Sequence, residues 1–211
     1  MASATATTVA VDDLEIQPHP EVPGLFYIKD IDEDVISEFT MKQLDSRKWE
    51  PLTASPKSRL VQHYGFKYNY TTYQINEKCE PIPAFLTPYQ ELLYSICLSL
   101  KIIEPRHIFN QCIVNNYAEG QGISAHVDVK KYGGVIGCFT IGSGATMVFQ
   151  KGDEKQEIYV EPNSLYIMSG DARFVWTHSM PTRKFDIKGG VRIERGRRIS
   201  LTFRHVPVLI A

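Results

Sequence analysis

The spacing of apolar residues predicts two helices in the first half of the chain. Between Asp32 and Trp49, an acidic first turn leads into an approximate helical stripe, which consists of Val35, Ile36, Phe39 and Leu44. A second helix is predicted to start at Thr87 as N-cap, with Pro88 at the first helical position and Gln90 as capping-box partner. Its apolar face contains Leu92, Leu93, Ile96 and Leu100, and Glu104-Pro105 ends it.

From Ile108 onward the pattern changes to short strands separated by turns. Gly142-Ser143-Gly144 lies between two apolar strand patterns, 135–141 and 145–149, and predicts a β-hairpin. Turns are also predicted at 152–153 and 162–163, and strands at 165–168, 174–178 and 198–205. Many short strands after two helices predict an α+β fold that is mainly β. We expect a jelly-roll barrel (double-stranded β-helix) with supporting N-terminal helices.

Length and composition suit one globular domain, which we assign to residues 23–211. The chain has 211 residues, of which 43% are hydrophobic and 22% charged. Residues 1–22 are Ala/Thr-rich and then acidic, and we expect a disordered lead without secretory or transit features. The 4 cysteines lack CxxC or framework spacing, which favours free thiols in a reducing compartment. No apolar run approaches the ~20 residues of a membrane helix. We expect a cytoplasmic or nuclear monomer without membrane contact.

Candidate metal chemistry lies at His126-Val127-Asp128. Residues two apart on a strand point to one face, so an imidazole and a carboxylate would aim at the same point. His178 would complete a facial set of two histidines and one carboxylate, which leaves coordination positions of Fe(II) open. A His-x-Asp on a surface strand is common, so this motif alone leaves a non-functional interpretation open.

Arg198 and Arg204 are spaced to share one face of a strand whose other face is apolar. A guanidinium held inside a barrel suits a bidentate carboxylate partner such as a dicarboxylic acid. The same alternation also describes the solvent face of an ordinary amphipathic strand. The joint order is more informative than either motif: His-x-Asp, a distant His, and then Arg-x5-Arg.

This joint order resembles the AlkB-like branch of the Fe(II)/2-oxoglutarate dioxygenases. The matching segments are Arg59 to Gly65, Asn115 to Gly122, His126 to Asp128, Trp176 to His178, Arg183 to Asp186, and Arg198 to Arg204. The resemblance covers the chain from about Pro23 to Val206. Within the branch, the sequence looks most similar to the oxygenase domain that modifies wobble uridines of tRNA.

The resemblance implies a catalytic centre in which His126, Asp128 and His178 bind Fe(II). With 2-oxoglutarate as co-substrate and O2, the implied reaction yields succinate and CO2 and hydroxylates a C–H bond; an N-methyl group would then leave as formaldehyde. The resemblance further implies that the Arg198 guanidinium binds the distal carboxylate of 2-oxoglutarate and that Asn115 and Tyr117 add hydrogen bonds. Arg204 would lie near Asp128 and the metal-binding end of the co-substrate, and Ser200 would make at most one weak contact.

The resemblance also implies a nucleotide-recognition lid at about residues 50–80. Tyr64, Phe66, Tyr68 and Tyr70 alternate there, and Lys57, Arg59, His63 and Lys67 are interleaved with them. This pattern suits base stacking beside phosphates, but the aromatic face could equally belong to the core. Substrate contacts are predicted at Arg59, His63, Tyr64, Phe66, Lys130 and Lys184.

The charge distribution favours a nucleic-acid partner, and the resemblance to the tRNA branch implies RNA rather than DNA. The net charge is −1, yet residues 183–205 contain eight Lys or Arg against two acidic residues. That segment could also be an ordinary solvated strand pair. Lys130 stands where DNA-repair relatives carry an acidic residue. The RNA-binding module, methyltransferase domain and zinc-binding cysteines of the tRNA branch are not found in these residues. A protein- or small-molecule-directed dioxygenase therefore remains the alternative.

Overall fold

The computed structural model describes residues 11–31, 34–55, 58–69, 72 and 74–207. Within these ranges the helices are α1 (Asp34–Asp45), α2 (Thr87–Ser99) and α3 (Gly170–Phe174). The strands, in chain order, are β1 (Ile16–Pro18), β2 (Leu25–Ile28), β3 (Glu50–Pro51), β4 (Leu60–Tyr64), β5 (Phe66–Asn69), β6 (Gln74–Lys78), β7 (Gln111–Tyr117), β8 (Ile123–His126), β9 (Ile136–Gly142), β10 (Ala145–Lys151), β11 (Glu154–Val160), β12 (Ser164–Met168), β13 (Thr177–Met180), β14 (Phe185–Lys188), β15 (Val191–Glu194) and β16 (Arg198–Arg204).

Two antiparallel sheets form the body of the fold. The larger has eight strands in the order β1-β2-β12-β9-β16-β7-β4-β3, and the smaller has four in the order β11-β10-β13-β8. From β7 to β13 the chain passes back and forth between these sheets, as in the predicted double-stranded β-helix. Two small hairpins, β5-β6 and β14-β15, are separate from both sheets.

Each face of the eight-stranded sheet packs against a hydrophobic core. On one face, α1 and α2 supply Leu44, Leu93 and Ile96 to a cluster that includes Phe139 and Phe203. On the other face, side chains of both sheets, among them Met147, Phe149 and Tyr166, meet around Trp176, which precedes β13. Fully burying one such side chain contributes about 1.5–3 kcal/mol. We call the first the helix-side core and the second the inter-sheet core. The inter-sheet core surrounds the space in which the predicted metal and co-substrate residues lie.

The predicted hairpin at Gly142-Ser143-Gly144 is wrong. β9 pairs with β12 and β16, whereas β10 pairs with β11 and β13. Gly142, with φ +82, therefore turns the chain from one sheet into the other. The hairpin lies at Gly152, between β10 and β11. The strand predicted from residue 174 begins only at Thr177, because α3 occupies the preceding residues.

Both predicted helices form, but details differ. The side chains of Val35 and Ile36 lie outside the description, and Phe39 is 46% exposed. Among the described side chains of α1, the buried ones are Ser37, Thr40 and Leu44. A 3-10 turn leads directly into α2, whose N-cap is Leu86 without a side-chain cap bond. The capping box is therefore wrong, and Gln90 Nε2 donates to the Phe109 carbonyl instead, at 2.6 Å.

The prediction of a disordered lead is wrong for residues 11–22. β1 pairs with β2 at the edge of the large sheet, and Val22 is fully buried in the inter-sheet core. Residues 1–10 lie outside the described ranges. None of the helices in those ranges is both long and apolar enough to span a membrane.

Candidate metal and co-substrate site

Strand pairing brings His126 and His178 together. β8 and β13 are antiparallel neighbours in which these two residues are direct cross-strand partners, with ring centroids 4.3 Å apart. Asp128 lies two residues beyond the end of β8, so the prediction that strand geometry aims it is wrong. Its carboxylate nevertheless reaches the histidines, with Oδ2 3.8 Å from His178 Nε2.

A hydrogen bond to one histidine and the burial of the other bear on how they can bind a metal. His126 Nδ1 lies 2.8 Å from the Ser124 carbonyl, which only accepts, so Nδ1 donates its hydrogen there and Nε2 is the nitrogen left for a metal. Burial lowers the pKa of His178 to about 4; Asp128 opposes this shift, and the neighbouring His126 adds to it. His178 is therefore neutral near pH 7, as a ligand must be.

Asp128 is a buried carboxylate that stays ionised. Burial acts to raise its pKa, but the charges of Arg204, His178, His126 and Arg173 together outweigh this, and the pKa falls to about 2. Arg204 Nη2 donates to Oδ1 at 2.9 Å, whereas Oδ2 is buried and has no hydrogen-bond partner in the structure as described. A buried anionic oxygen beside two imidazoles suits a divalent cation. Among the described residues, no group of three or more His, Cys, Asp or Glu side chains already has the spacing that holds a metal ion.

β16 carries a buried guanidinium on the face that points between the sheets. Arg198 is 4% exposed and lies opposite Tyr117 of β7, with its guanidinium 5.4 Å from the ring centroid. Its Nη2 donates to Thr140 Oγ1 at 2.9 Å, and its Nε is buried without a partner in the described ranges. Arg195 and Arg204 each pair with an aspartate, but Arg198 has no carboxylate within ion-pair distance among the residues described. Such a buried cation favours an anionic ligand.

Asn115 connects the two strands that line this space. Its Nδ2 donates to Ser200 Oγ at 3.4 Å, and its Oδ1 accepts a hydrogen bond from Arg59 Nε at 2.9 Å. The Arg59 guanidinium also lies 5.8 Å from the Tyr117 ring centroid. The amide orientation of Asn115 is therefore fixed from both sides.

One small cavity collects every residue predicted to bind metal or co-substrate. It has a volume of about 40 Å³, and its lining includes Asn115, Tyr117, His126, Asp128, His178, Arg198, Ser200 and Arg204. Three methionines, Met147, Met168 and Met180, also line it, and their flexible side chains can yield to a ligand. We call this the inner cavity. A more open outer cavity of about 490 Å³ adjoins it and shares Asn115, His126, Asp128 and Arg204.

Comparison with known proteins agrees with this geometry. The sequence model of the 2OG-Fe(II) oxygenase superfamily matches residues 33–204. The chain belongs to this superfamily. Among the relatives of this oxygenase are uncharacterized protein L905 of Acanthamoeba polyphaga mimivirus, 40% identical over 159 residues (71% of this chain, 74% of that protein), and tRNA (carboxymethyluridine(34)-5-O)-methyltransferase alkbh8 of Xenopus tropicalis, 30% identical over 182 residues (84% and 28%).

The solved structure of OsALKBH1 has the same fold as this oxygenase. It matches 90% of this chain and 100% of its own with a TM-score of 0.67, at 15% identity. The AlkB-like resemblance and the double-stranded β-helix are thereby confirmed. The chain spans 28% of the length of the Xenopus relative. It carries an Fe(II)/2-oxoglutarate dioxygenase domain, which is an oxidoreductase.

Of the six substrate residues predicted for this oxygenase, Arg59 lines the outer cavity. Tyr64 is 3% exposed in the helix-side core, and its hydroxyl donates to Gln62 Oε1 at 2.8 Å, so its prediction is wrong. His63 lines a different groove, beside Lys67, where burial lowers its pKa to about 4.

The other three predicted substrate residues lie outside the linings of the inner and outer cavities. Phe66 is half-buried, and its carbonyl accepts a hydrogen bond from Gln111 Nε2 at 2.9 Å. Lys130 is exposed beyond Asp128, and Lys184 pairs with Glu119 at 3.3 Å. Lys57 and Tyr70 lie outside the described residues.

Two aromatic residues of the outer cavity were not among the predicted substrate contacts. Tyr68 and Tyr132 both line it, with ring centroids 6.4 Å apart. Tyr68 belongs to the alternating aromatic set at 64–70 but was not predicted as a substrate contact. Tyr132 lies in the loop after β8, where no periodicity marks the direction of a side chain.

The basic segment 183–205 carries less free charge than its composition indicates. Each of its exposed or half-exposed cations has a carboxylate partner: Arg183 with Asp186, Lys184 with Glu119, Lys188 with Glu161, Arg192 with Glu194, and Arg197 with Asp45. Arg195, Arg198 and Arg204 are buried. Surface pairs of this kind are weak and can exchange partners, but they cancel much of the net field.

Proposed function

We propose that His126, Asp128 and His178 bind Fe(II) and that Arg198 binds the distal carboxylate of 2-oxoglutarate. The observation that carries this proposal is the buried Arg198 guanidinium, which has no carboxylate partner among the described residues and lies in the same cavity as the histidines and Asp128. A buried cation of this kind is costly unless a ligand supplies the missing charge. A dicarboxylic acid satisfies Arg198 at one end and a metal at the other.

Other residues of the chain orient these groups. Arg204 holds one oxygen of Asp128, which leaves Oδ2 directed to the histidines. Tyr117 lies against Arg198, and Asn115 presents an amide fixed by Arg59. When bound, Fe(II) with 2-oxoglutarate and O2 supplies the oxidising power for hydroxylation of a C–H bond.

The proposed prime substrate is a modified nucleobase in RNA, more specifically tRNA. The outer cavity opens onto the metal-binding residues and presents Tyr68 and Tyr132, whose rings offer stacking surfaces for a planar base. Arg59 adds a cation to the same cavity. The name of the Xenopus relative refers to a tRNA uridine, which supports this substrate class. Hydroxylation of a carbon that is bonded to carbon would leave a stable alcohol. Hydroxylation of an N-methyl carbon would instead lead to loss of that methyl group.

A protein or small-molecule substrate is the second candidate. The carboxylate partners of the cations in 183–197 favour it, because they reduce the electrostatic attraction that nucleic-acid binding uses.

Mass spectrometry of treated RNA tests the proposal. Total tRNA is incubated with the protein, Fe(II), ascorbate and 2-oxoglutarate, and then digested to nucleosides. We expect a nucleoside that gains an oxygen atom or loses a methyl group, in reactions with wild type but not with Asp128→Ala. Turnover of 2-oxoglutarate without any change in a nucleoside would favour the second candidate. Absence of turnover under all conditions would contradict the metal and co-substrate assignment.

A further inference from the structure

One buried arginine, Arg173, binds the loop that carries Asp128. Its side chain is 1% exposed and donates to four backbone carbonyls. Nη1 donates to Asp128 O at 2.9 Å, Nη2 to Val129 O at 2.8 Å and Tyr132 O at 3.4 Å, and Nε to Gly133 O at 3.1 Å. No carboxylate in the described ranges lies within ion-pair distance of this guanidinium, so its hydrogen bonds serve the loop backbone.

The loop needs such a partner because no strand holds it. β8 ends at His126, and residues 127–129 are not part of any sheet. His126 and His178 are fixed by the β8-β13 ladder, whereas Asp128 is beyond it. Arg204 binds the Asp128 carboxylate but leaves the backbone free to shift. The Arg173 bonds therefore set the position of the Asp128 Cα relative to the two histidines.

Arg173 is itself held rigidly, on the segment that leads to His178. Ala172 N donates to Pro23 O at 2.9 Å, and Ser169 N donates to Gly24 O at 2.8 Å, which ties the start of α3 to the N-terminal segment. Trp176, which is 1% exposed in the inter-sheet core, follows α3 and precedes β13. One short stretch of chain thus delivers His178 to the metal site and Arg173 to the Asp128 loop.

We propose that Arg173 is a positioning residue, which sets the distance between Asp128 and the histidines by fixing the backbone of residues 128–133. This inference rests on the metal centre proposed above. Arg173 is not itself a lining residue of either cavity; it contacts the backbone of lining residues and acts through Asp128. Lysine cannot replace it, because one ammonium cannot reproduce a planar fork that serves four carbonyls.

Two measurements on Arg173→Lys test this proposal, with Arg195→Lys as matched control. Arg195 is also a buried arginine, but it binds Asp186 and the Pro181 carbonyl, away from the metal site. Hydrogen exchange of the apoprotein measures how well the loop amides are protected. Titration with Mn(II), which does not support turnover, measures the affinity of the metal site. We expect faster exchange at residues 127–133 and about 10- to 100-fold weaker Mn(II) binding in Arg173→Lys only.

The outcomes distinguish the role of Arg173 in the loop from its effect on the metal site. Unchanged exchange at 127–133 in Arg173→Lys would overturn the proposed role in the loop, whatever the metal affinity. Faster exchange with wild-type Mn(II) affinity would overturn the role in positioning Asp128. Equal losses of Mn(II) affinity in both variants would indicate general destabilisation and overturn the assignment as well. If wild type bound no Mn(II), the proposed metal centre would fail, while the exchange result would still decide the contact with the loop.

Discussion

Replacing Arg198 with methionine should weaken 2-oxoglutarate binding while leaving the fold stable. The guanidinium is 4% exposed, and its fixed bond within the described protein goes to Thr140 Oγ1, so most of its donors remain available for a ligand. Loss of one partner from a buried charged pair costs about 2–5 kcal/mol. At about 1.4 kcal/mol per tenfold change, binding should weaken roughly 30-fold to several thousand-fold. Arg198→Lys should lie between, since it keeps the charge but loses the bidentate fork.

The stability of the same variant provides an independent control. Arg198→Met leaves no carboxylate without its cation, so we expect an unchanged or higher free energy of unfolding. Arg195→Met removes the buried partner of Asp186, which is 1% exposed and keeps the half-exposed Arg183, so stability should fall by up to about 3–5 kcal/mol. Calorimetric titration of 2-oxoglutarate into Mn(II)-loaded protein, with urea denaturation in parallel, measures both quantities. Wild-type affinity in a folded Arg198→Met variant would refute the assignment of the carboxylate site.

Three further predictions concern the metal, the outer cavity and pH. His126→Ala and Asp128→Ala should abolish succinate production without loss of fold, as measured by mass spectrometry and circular dichroism; production at wild-type rates would contradict the ligand assignment. Tyr68→Ala should weaken RNA binding by about 1–3 kcal/mol at unchanged stability, whereas Tyr64→Ala should lower stability by about 3–5 kcal/mol; equal effects on both properties would count against the outer cavity. Stability of the apoprotein should fall as pH drops from 6.5 towards about 4, because the folded pKa of His178 lies below its ordinary value and the unfolded chain takes up the proton. A second loss should follow below pH 3.8: burial acts to raise the pKa of Asp186, but hydrogen bonds from Arg195 and its neighbours hold it well below that ordinary value. In urea denaturation across this range, Asp186→Asn should show a smaller second loss than wild type, and the remaining loss comes from groups such as Asp128, whose pKa is also lowered.

The two faces of a strand were predictable where charged and apolar side chains alternate strictly every second residue. On β16, Ile199, Leu201 and Phe203 are fully buried against the helices, while Arg198 and Arg204 face the space between the sheets. Such alternation fixes which residues share a face of the strand, so the sequence predicted that the two arginines lie on the same face.

Other features depended on information that local patterns lack. A glycine turn indicates that the chain reverses, but not which sheet the next strand joins, and the predicted hairpin at Gly142 failed for that reason. Tyr64 and Tyr68 have the even spacing of one strand face, yet Gly65, with φ +79, separates β4 from β5. A side chain at that glycine would collide with the Asn110 carbonyl. The break sends Tyr64 to the core and Tyr68 to the cavity.

The β5-β6 hairpin, which holds Tyr68, has a consequence for how this enzyme can diverge. The residues proposed to bind the co-substrate lie on β7 and β16 in the interior of the large sheet, where a substitution disturbs neighbours on both sides. The hairpin forms a separate two-stranded sheet, linked to the rest by bonds such as Gln111 Nε2 to Phe66 O and Lys131 Nζ to Gln74 Oε1. Its sequence can therefore drift, lengthen or be exchanged at little cost to folding. Under the proposed function, selection on substrate choice and selection on oxidative chemistry would act on different parts of one small chain.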